Sequence, residues 1–519
     1  MRPSILAASL ATALTAPTAA VQASSEAEIA ELRSMLEQMR TQYERRIQDL
    51  EDRLAQTERQ SAPGHTHHAE PRTRDTARSQ PMSAPTVAAN AGAAADAPTS
   101  EAARTTDSRS ALSSGSAFNP QISVILNGNY YNDGVNGSGA ALVGQALQPS
   151  GGLAHDHDHA DDADHGHAHG GLNNGFNFSE AELSFSATVD PYFDAAAYLA
   201  ILSDGNVHLE EAWLQTRGLP NGLRVKAGKF LSDFGYANKQ HPHAWDFVDQ
   251  NLAYLNLLGS HGLQDTGVQF TWLPELPVYT LLGFEALQGD QEVFGATLGA
   301  DDQERLGLDA TEDGPRLWTL FAKVAPDLGL DHALQFGVSY ARNTQHQEVQ
   351  THTHAGEDEV HESAMAGEAD LWGLDLVYKY DGSGPQGQGD FKFQSEYLRS
   401  VKDLNIRASA HPEIIGSPRT FTTDGFYAQA LYGFAPRWTV GVRYDVLGLT
   451  NEVSGGKRAD DGSSDRWSLN LTWNLSEFSQ LRAQYARNDI LVAENERERF
   501  DAVYLQFLMS LGSHGAHAF

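Results

Sequence analysis

The sequence predicts an all-β chain: a transmembrane antiparallel β-barrel of about sixteen strands, preceded by a short periplasmic coiled-coil helix. Three observations carry the prediction. Apolar and polar residues alternate with a period of two through many segments of about ten residues. Tight turns alternate with long polar loops along the chain. No stretch beyond the amino terminus approaches the roughly 18 apolar residues of a membrane helix, so a membrane location requires a closed barrel.

Taken in order, the chain opens as a signal peptide over residues 1–23. Arg2 supplies the positive region, Ile5 to Ala20 the apolar run, and Val21-Gln22-Ala23 a small-residue cleavage site. Residues 24–58 form a coiled-coil segment. Ile29, Leu32, Leu36, Met39, Tyr43, Ile47, Leu50 and Leu54 make a heptad seam with one stutter between Met39 and Ile47. Residues 59–118 are rich in Ala, Ser, Thr, Pro and charge, and bury too little to fold, so they are expected to be a disordered linker. The barrel then occupies 119–519.

Within it, alternation is plain in Ala181-Leu183-Phe185-Ala187, Leu334-Phe336-Val338-Tyr340, Val440-Val442-Tyr444, Trp467-Leu469-Leu471-Trp473 and Val503-Leu505-Phe507. Tight turns fall at 190–191, 219–221, 274–277, 325–330, 435–436 and 476. Long loops fall near 132–174, 231–263, 290–315, 343–369, 401–421, 448–464 and 489–498. Short periplasmic turns facing long outer loops are the habit of outer-membrane barrels. Tyr130, Tyr131, Trp213, Trp272, Tyr380, Tyr397, Tyr432 and Trp438 stand near strand ends, as interfacial girdles require.

The alternate faces define an expected lumen of mixed sign. Arg224, Lys226, Lys323, Lys379, Lys392, Arg443, Arg466 and Arg482 stand against Glu180, Glu182, Glu210, Glu285, Asp375, Glu396 and Asp445. Such a lining admits small polar solutes without strong anion selection. Glu210 and Glu211 are neighbours on a strand and are expected on opposite faces, which excludes an acid/base pair. No nucleophile-elbow, metalloprotease, P-loop or dinucleotide motif occurs, so no enzyme and no required cofactor is expected. The formal net charge of −32 argues against nucleic acid as a partner. There is no cysteine, hence no disulfide framework or thiolate site.

Two histidine tracts offer metal chemistry. His155, Asp156, His157, Asp158, His159, His165, His167 and His169 crowd a loop at 153–171, and His346, His352, His354 and His361 a second at 346–361. Imidazole and carboxylate ligate Zn²⁺, Ni²⁺ or Cu²⁺, and Zn²⁺ is the ion expected at these loops. The segment after strand 223–227 is a connection of about 30 residues, too long for a hairpin and expected to narrow the pore from inside. Its expected pore residues are Lys229, Asp233, His241, His243, Asp246 and Asp249, facing Arg224, Lys226, Arg443 and Arg482.

At Gly228-Lys229-Phe230 through Phe234-Gly235 the sequence resembles the phosphate-selective porin O/P family of outer-membrane porins. That resemblance implies a sixteen-stranded homotrimer in the lipid of a Gram-negative outer membrane, with an inward constriction loop. Phosphate selectivity in the family rests on a ladder of arginines and a lysine cluster that cannot be placed here. The His-rich loops and the Ser-His-Gly-Ala-His-Phe end look more like a zinc-associated branch of porin-like proteins, some labelled as TonB-dependent receptors. Such receptors carry a plug and a barrel of about 22 strands, and neither fits this chain. The functional expectation is a passive porin for small solutes whose loops gather divalent metal. A surface metal-binding barrel without conduction and a coiled-coil envelope tether stay open beside it.

Overall fold

The computed structural model describes residues 121–135, 139–146, 172–353, 360–454, 462–493 and 496–512. The expected signal peptide, coiled coil, linker and first histidine tract lie outside them. The strands, in chain order, are β1 (Gln121–Asp133), β2 (Gly175–Thr188), β3 (Phe193–Ile201), β4 (Val207–Thr216), β5 (Leu223–Leu231), β6 (Gln264–Trp272), β7 (Tyr279–Leu287) and β8 (Leu317–Ala325). They continue as β9 (His332–Thr353), β10 (Val360–Tyr380), β11 (Phe391–Ser409), β12 (Pro418–Ala435), β13 (Trp438–Leu447), β14 (Glu452–Ser454), β15 (Ser464–Ser476), β16 (Ser479–Ala493) and β17 (Glu496–Gly512). Each long strand pairs antiparallel with its neighbours, and β17 returns to pair with β1 from Ser123↔Gly512 to Asp133↔Ala502, closing the barrel. The three residues of β14 only extend β12 at its outer end, while β13 pairs directly with β15. Sixteen strands therefore form the wall.

Alternation decides which side each residue faces. Trp467, Leu469 and Leu471 on β15 are 53, 54 and 41 % exposed, while the intervening Arg466, Ser468 and Asn470 are at most 3 % exposed. Such an inside-out arrangement, apolar outward and polar buried, suits a barrel solvated by lipid. No described helix is long and apolar enough to cross a membrane. The stacked pair Trp438–Trp473, centroids 5.3 Å apart, and the exposed Trp272 and Tyr432 stand on the outer surface near the short turns. Tyr131 and Trp213, expected in the same girdle, are instead buried, at 0 and 7 % exposure.

Strands β9 to β12 run 22, 21, 19 and 18 residues, well beyond the roughly 9–11 needed to cross a bilayer. The loop expected at 343–369 is therefore mostly a hairpin, with His352 opposite His361 and Asp370 opposite Arg342. Polar strands above the membrane lack the apolar alternation that marks those within it.

Residues 232–263 fold into the barrel. Phe234, Phe247, Tyr254, Leu257, Leu258 and Leu263 are all buried, and a loop with so many apolar groups must cover them. Several of them pack with Leu287, Ala341, Leu371 and Leu398 of the inner wall. Two wall glycines make room: a Cβ at Gly373 would meet the Phe234 ring at 2.8 Å, and one at Gly425 would meet Ala253 at 2.7 Å. Helix α1 (Gly139–Ala146) packs Val143 against Leu252, at the start of helix α2 (Leu252–Leu258). Asn251 caps α2 by accepting from the Tyr254 amide at 3.0 Å. A third helix, α3 (Ala300–Leu306), lies in the loop after β7, and Leu306 packs near Ala364 and Ala366.

Candidate functional site at the constriction

The inward loop is tied to the wall at three places. At its root, Ser232 donates to Glu285 at 2.5 Å and Lys323 donates to the Gly235 carbonyl at 2.7 Å. The amides of Tyr236 and Ala237 and the Tyr254 hydroxyl all donate to Glu396.

Further along, Asp246 receives Lys392 at 2.7 Å and Gln429 at 2.6 Å. Asp249 receives Arg443 and Gln484, each at 2.7 Å, and forms an ion pair with Arg466 at 2.7 Å. Arg443 also holds Asp445 and lies over the Phe247 ring, 4.6 Å from its centroid. Burial would raise the Asp249 carboxyl, but the two guanidiniums outweigh it and keep the group below its ordinary range.

Opposite this arginine pole stands a cluster of imidazole and carboxylate. His241 Nδ1 lies 3.3 Å from Glu182 and 3.2 Å from Glu210, and its Nε2 lies 2.7 Å from Glu211. His243 Nδ1 is 3.1 Å from Glu182, and the two imidazoles stack at 5.7 Å. Burial disfavours the His241 imidazolium, yet Glu182, Glu210 and Glu211 more than compensate and hold its pKa well above the usual value. Glu180, two residues before Glu182 on β2, is 2 % exposed and its Oε1 has no hydrogen-bond partner.

The expected opposition of Glu210 and Glu211 fails for a local reason. Pairing of β3 with β4 slips between Tyr198↔Glu211 and Leu199↔Leu209, leaving Glu210 as the extra residue of a bulge. A bulge re-aims side chains, and both carboxylates reach His241. A similar slip on β2, between Asn127↔Glu180 and Gly128↔Phe178, buries Ser179 and Glu180 side by side.

Two cavities meet here. A vestibule of about 700 Å³ opens among the short turns, near Gln386, Arg437 and Glu477. A smaller cavity of about 60 Å³ lies on the other side of the loop, bordered by Glu210, Ser260 and His261. Leu231, Gln240, His241, Trp245 and Asp246 line both and form the partition.

Of the expected pore residues, Lys226, Asp233, His241, His243, Asp246 and Arg482 line the vestibule, and Asp249 and Arg443 line the smaller cavity. Arg482 is held by Thr472, Gln480 and Gln506. Arg224 is exposed near the short-turn end of β5. Lys229 lies on the opposite face of β5 from Lys226 and Phe230, and donates to the Leu209 carbonyl at 2.8 Å. It lines neither of the two cavities.

The metal tracts come out differently. Residues 155–169 and His354 are outside the described residues. His346 is fully buried in β9, paired with Glu348 at 3.0 Å, which also receives Lys402 at 2.9 Å. Six strand residues, about 20 Å at ~3.3 Å each, separate it from His352, so it does not share an ion with the hairpin tip. His361 is close to His411 instead, with ring centroids 5.3 Å apart.

A closed sixteen-strand barrel with an apolar exterior, a charged lumen and an inward loop defines the class: an outer-membrane β-barrel of porin type, from a Gram-negative envelope. The chain belongs to the same family as a protein of Aquifex aeolicus (strain VF5) known as "Uncharacterized protein", with which it is 36 % identical over 408 residues, 78 % of this chain and 80 % of that one. A family model described as TonB dependent receptor-like, beta-barrel, matches residues 244–488. Among solved structures, the chain is similar to the outer membrane channel DcaP of Acinetobacter baumannii, covering 76 % of this chain and 97 % of that one at 11 % identity and a TM-score of 0.44. It is also similar to the anion-selective porin from Comamonas acidovorans, over 76 and 99 % of the two chains at 12 % identity and a TM-score of 0.41.

Proposed function

We propose that the protein is a porin for passive diffusion of small solutes, working as a homotrimer, whose histidine tracts capture divalent metal, Zn²⁺ foremost, beside the pore. The observation that supports conduction most is the pair of cavities bordered by charge of both signs and parted by Leu231 and four residues of the inward loop. A polar lumen of that kind passes hydrated ions and small polar molecules and discriminates weakly. The metal part rests on residue chemistry at 153–171 and at His352, His354 and His361.

Single-channel recording in planar bilayers, with and without Zn²⁺, tests the reading. Stepwise conductance altered by Zn²⁺ supports it, and a silent bilayer overturns it in favour of a metal-binding barrel without conduction. Removing 153–171 and replacing His352, His354 and His361 by Ala should abolish most of the weak Zn²⁺ uptake seen by calorimetry. For assembly, cross-linking in membranes should give trimers. Monomer alone, with or without residues 26–60, counts against that part.

A further inference from the structure

We propose that His241 Nδ1 and the carboxylates of Glu182 and Glu210 form a built divalent-cation site in the partition between the two cavities, with Glu180 at its margin and Glu211 as the group that orients the imidazole. The proposal deepens the porin reading by naming a class of solute that pauses at the constriction.

Geometry comes first. The three ligand atoms lie within 4.8 Å of one another. Ligands about 2.0–2.1 Å from a tetrahedral Zn²⁺ stand about 3.3 Å apart, and Nδ1 is already 3.3 Å from Glu182 and 3.2 Å from Glu210. Little rearrangement is needed to admit an ion.

The imidazole is oriented for the task. Glu211 Oε1 sits 2.7 Å from Nε2. With the Nε2 proton directed to Glu211, an ion that displaces the Nδ1 proton meets a nitrogen lone pair already aimed toward Glu182 and Glu210. A carboxylate behind a ligating histidine is the usual outer partner at zinc sites, where it fixes the tautomer and raises ligand basicity.

Charge supplies an independent observation. Four carboxyl groups (Glu180, Glu182, Glu210 and Glu211) surround two imidazoles (His241 and His243), so acidic groups outnumber basic ones in the cluster. Neighbouring groups do not cancel this excess. Tyr198 packs its ring against His241, and His261, nearby in the loop, is paired with Glu292. Lys226 lies over the rings of Trp213 and Phe230. Glu180 Oε1 has no hydrogen-bond partner although the residue is 2 % exposed. A buried carboxyl group without a partner is costly, and a divalent ion in the cluster would give it one.

The donor set selects the ion class. One imidazole with carboxylate oxygens suits Zn²⁺ and its transition-metal neighbours, whereas Mg²⁺ and Ca²⁺ prefer oxygen alone. The three protein ligands leave a coordination position open, as befits an ion that must also leave.

The test is equilibrium binding of Zn²⁺ to the full-length protein in detergent, beside bilayer recordings of the same preparations. Wild-type protein should show one site tighter than the remaining uptake, and Co²⁺ placed in it should give tetrahedral visible absorption. Glu182→Gln and His241→Ala should each abolish that site, and Glu211→Gln should weaken it about 10- to 100-fold. Heat-modifiable gel mobility shows that each variant is folded, and Glu210→Gln provides a second conservative change if His241→Ala is not. If the folded variants keep the tight site and the Co²⁺ band, the cluster is only an ionic latch for the loop and the proposal is overturned, whatever the conductance. A tight site lost in the variants, in a protein that does not conduct, upholds the site and overturns the porin reading instead.

Discussion

The two poles that hold the inward loop are built from opposite charge logic. At the first, Asp249 and Asp445 face Arg443 and Arg466, two negative groups against two positive ones, with N···O distances from 2.7 to 3.3 Å. At the second, His241 and His243 meet an excess of carboxylates, one of them without a partner. Both are buried and both contact the same loop, so burial alone does not distinguish them. The balanced pole has nothing left to bind and serves as an anchor. The unbalanced pole retains a demand for positive charge, and such a demand in a solute path marks a binding site.

The largest effect should follow from breaking the anchor. Asp249→Ala leaves Arg443 and Arg466 with Asp445 alone in a site where each guanidinium is 3 % exposed. Removing one partner of a buried ion pair costs about 3–5 kcal/mol. The loop should loosen, with larger and noisier conductance and a lower unfolding temperature. Unchanged traces and melting would show that the arginines merely line the wall.

Acid should do the same work reversibly. Asp249 has a folded pKa below its unfolded value, so its stabilisation is fully present above about pH 4 and fades as pH falls through the lowered folded value. Conductance should therefore rise on acidification below pH 4 and recover on return to neutrality, and Asp249→Asn should lack that step. An acid response identical in both proteins would place its origin elsewhere.

At the other pole the sign should invert. Glu180→Gln removes a carboxylate that the surroundings do not satisfy, so metal-free stability should stay within about 1 kcal/mol of wild type or increase. The change should appear instead in equilibrium binding, as weaker Zn²⁺ affinity at the cluster. A stability loss matching that of Asp249→Ala would erase the distinction between the poles.

Why one pole was more legible in the sequence than the other follows from backbone regularity. Arg443 and Asp445 sit on an undisturbed strand, so a period of two places both in the lumen, and their mixed signs were readable at once. Aromatic and apolar residues from Phe234 to Leu263 made an inward loop readable too. The cluster at His241 needs two strand bulges, and a bulge leaves no mark in binary patterning when its extra residue is polar. Alternation alone sends Glu211 to the lipid side. The long polar hairpin of β9 and β10 escaped for a related reason: strand residues outside the membrane need no apolar face, and Gln345-His346-Gln347-Glu348 reads as a loop.

The smallest effect separates two lysines on one strand. Lys226 and Lys229 both look like pore residues beside a glycine-rich turn. Lys226 is 6 % exposed, its ammonium 5.1 Å from the Phe230 ring centroid, and it lines the vestibule. Lys229 is three residues on, an odd spacing that turns it away from the lumen, where its ammonium meets the Leu209 carbonyl. Lys226→Ala should alter ion selectivity because it removes a positive charge from the wall beside Asp233. Lys229→Ala should leave conductance and selectivity as they are and change stability by no more than about 0.5 kcal/mol, as surface substitutions usually do. Reversal potentials and melting temperatures of the two variants decide the matter. If Lys229→Ala shifts selectivity as strongly as Lys226→Ala, the alternation of β5 does not survive Gly228, whose positive φ of 134° is the one place on that strand where it could reverse.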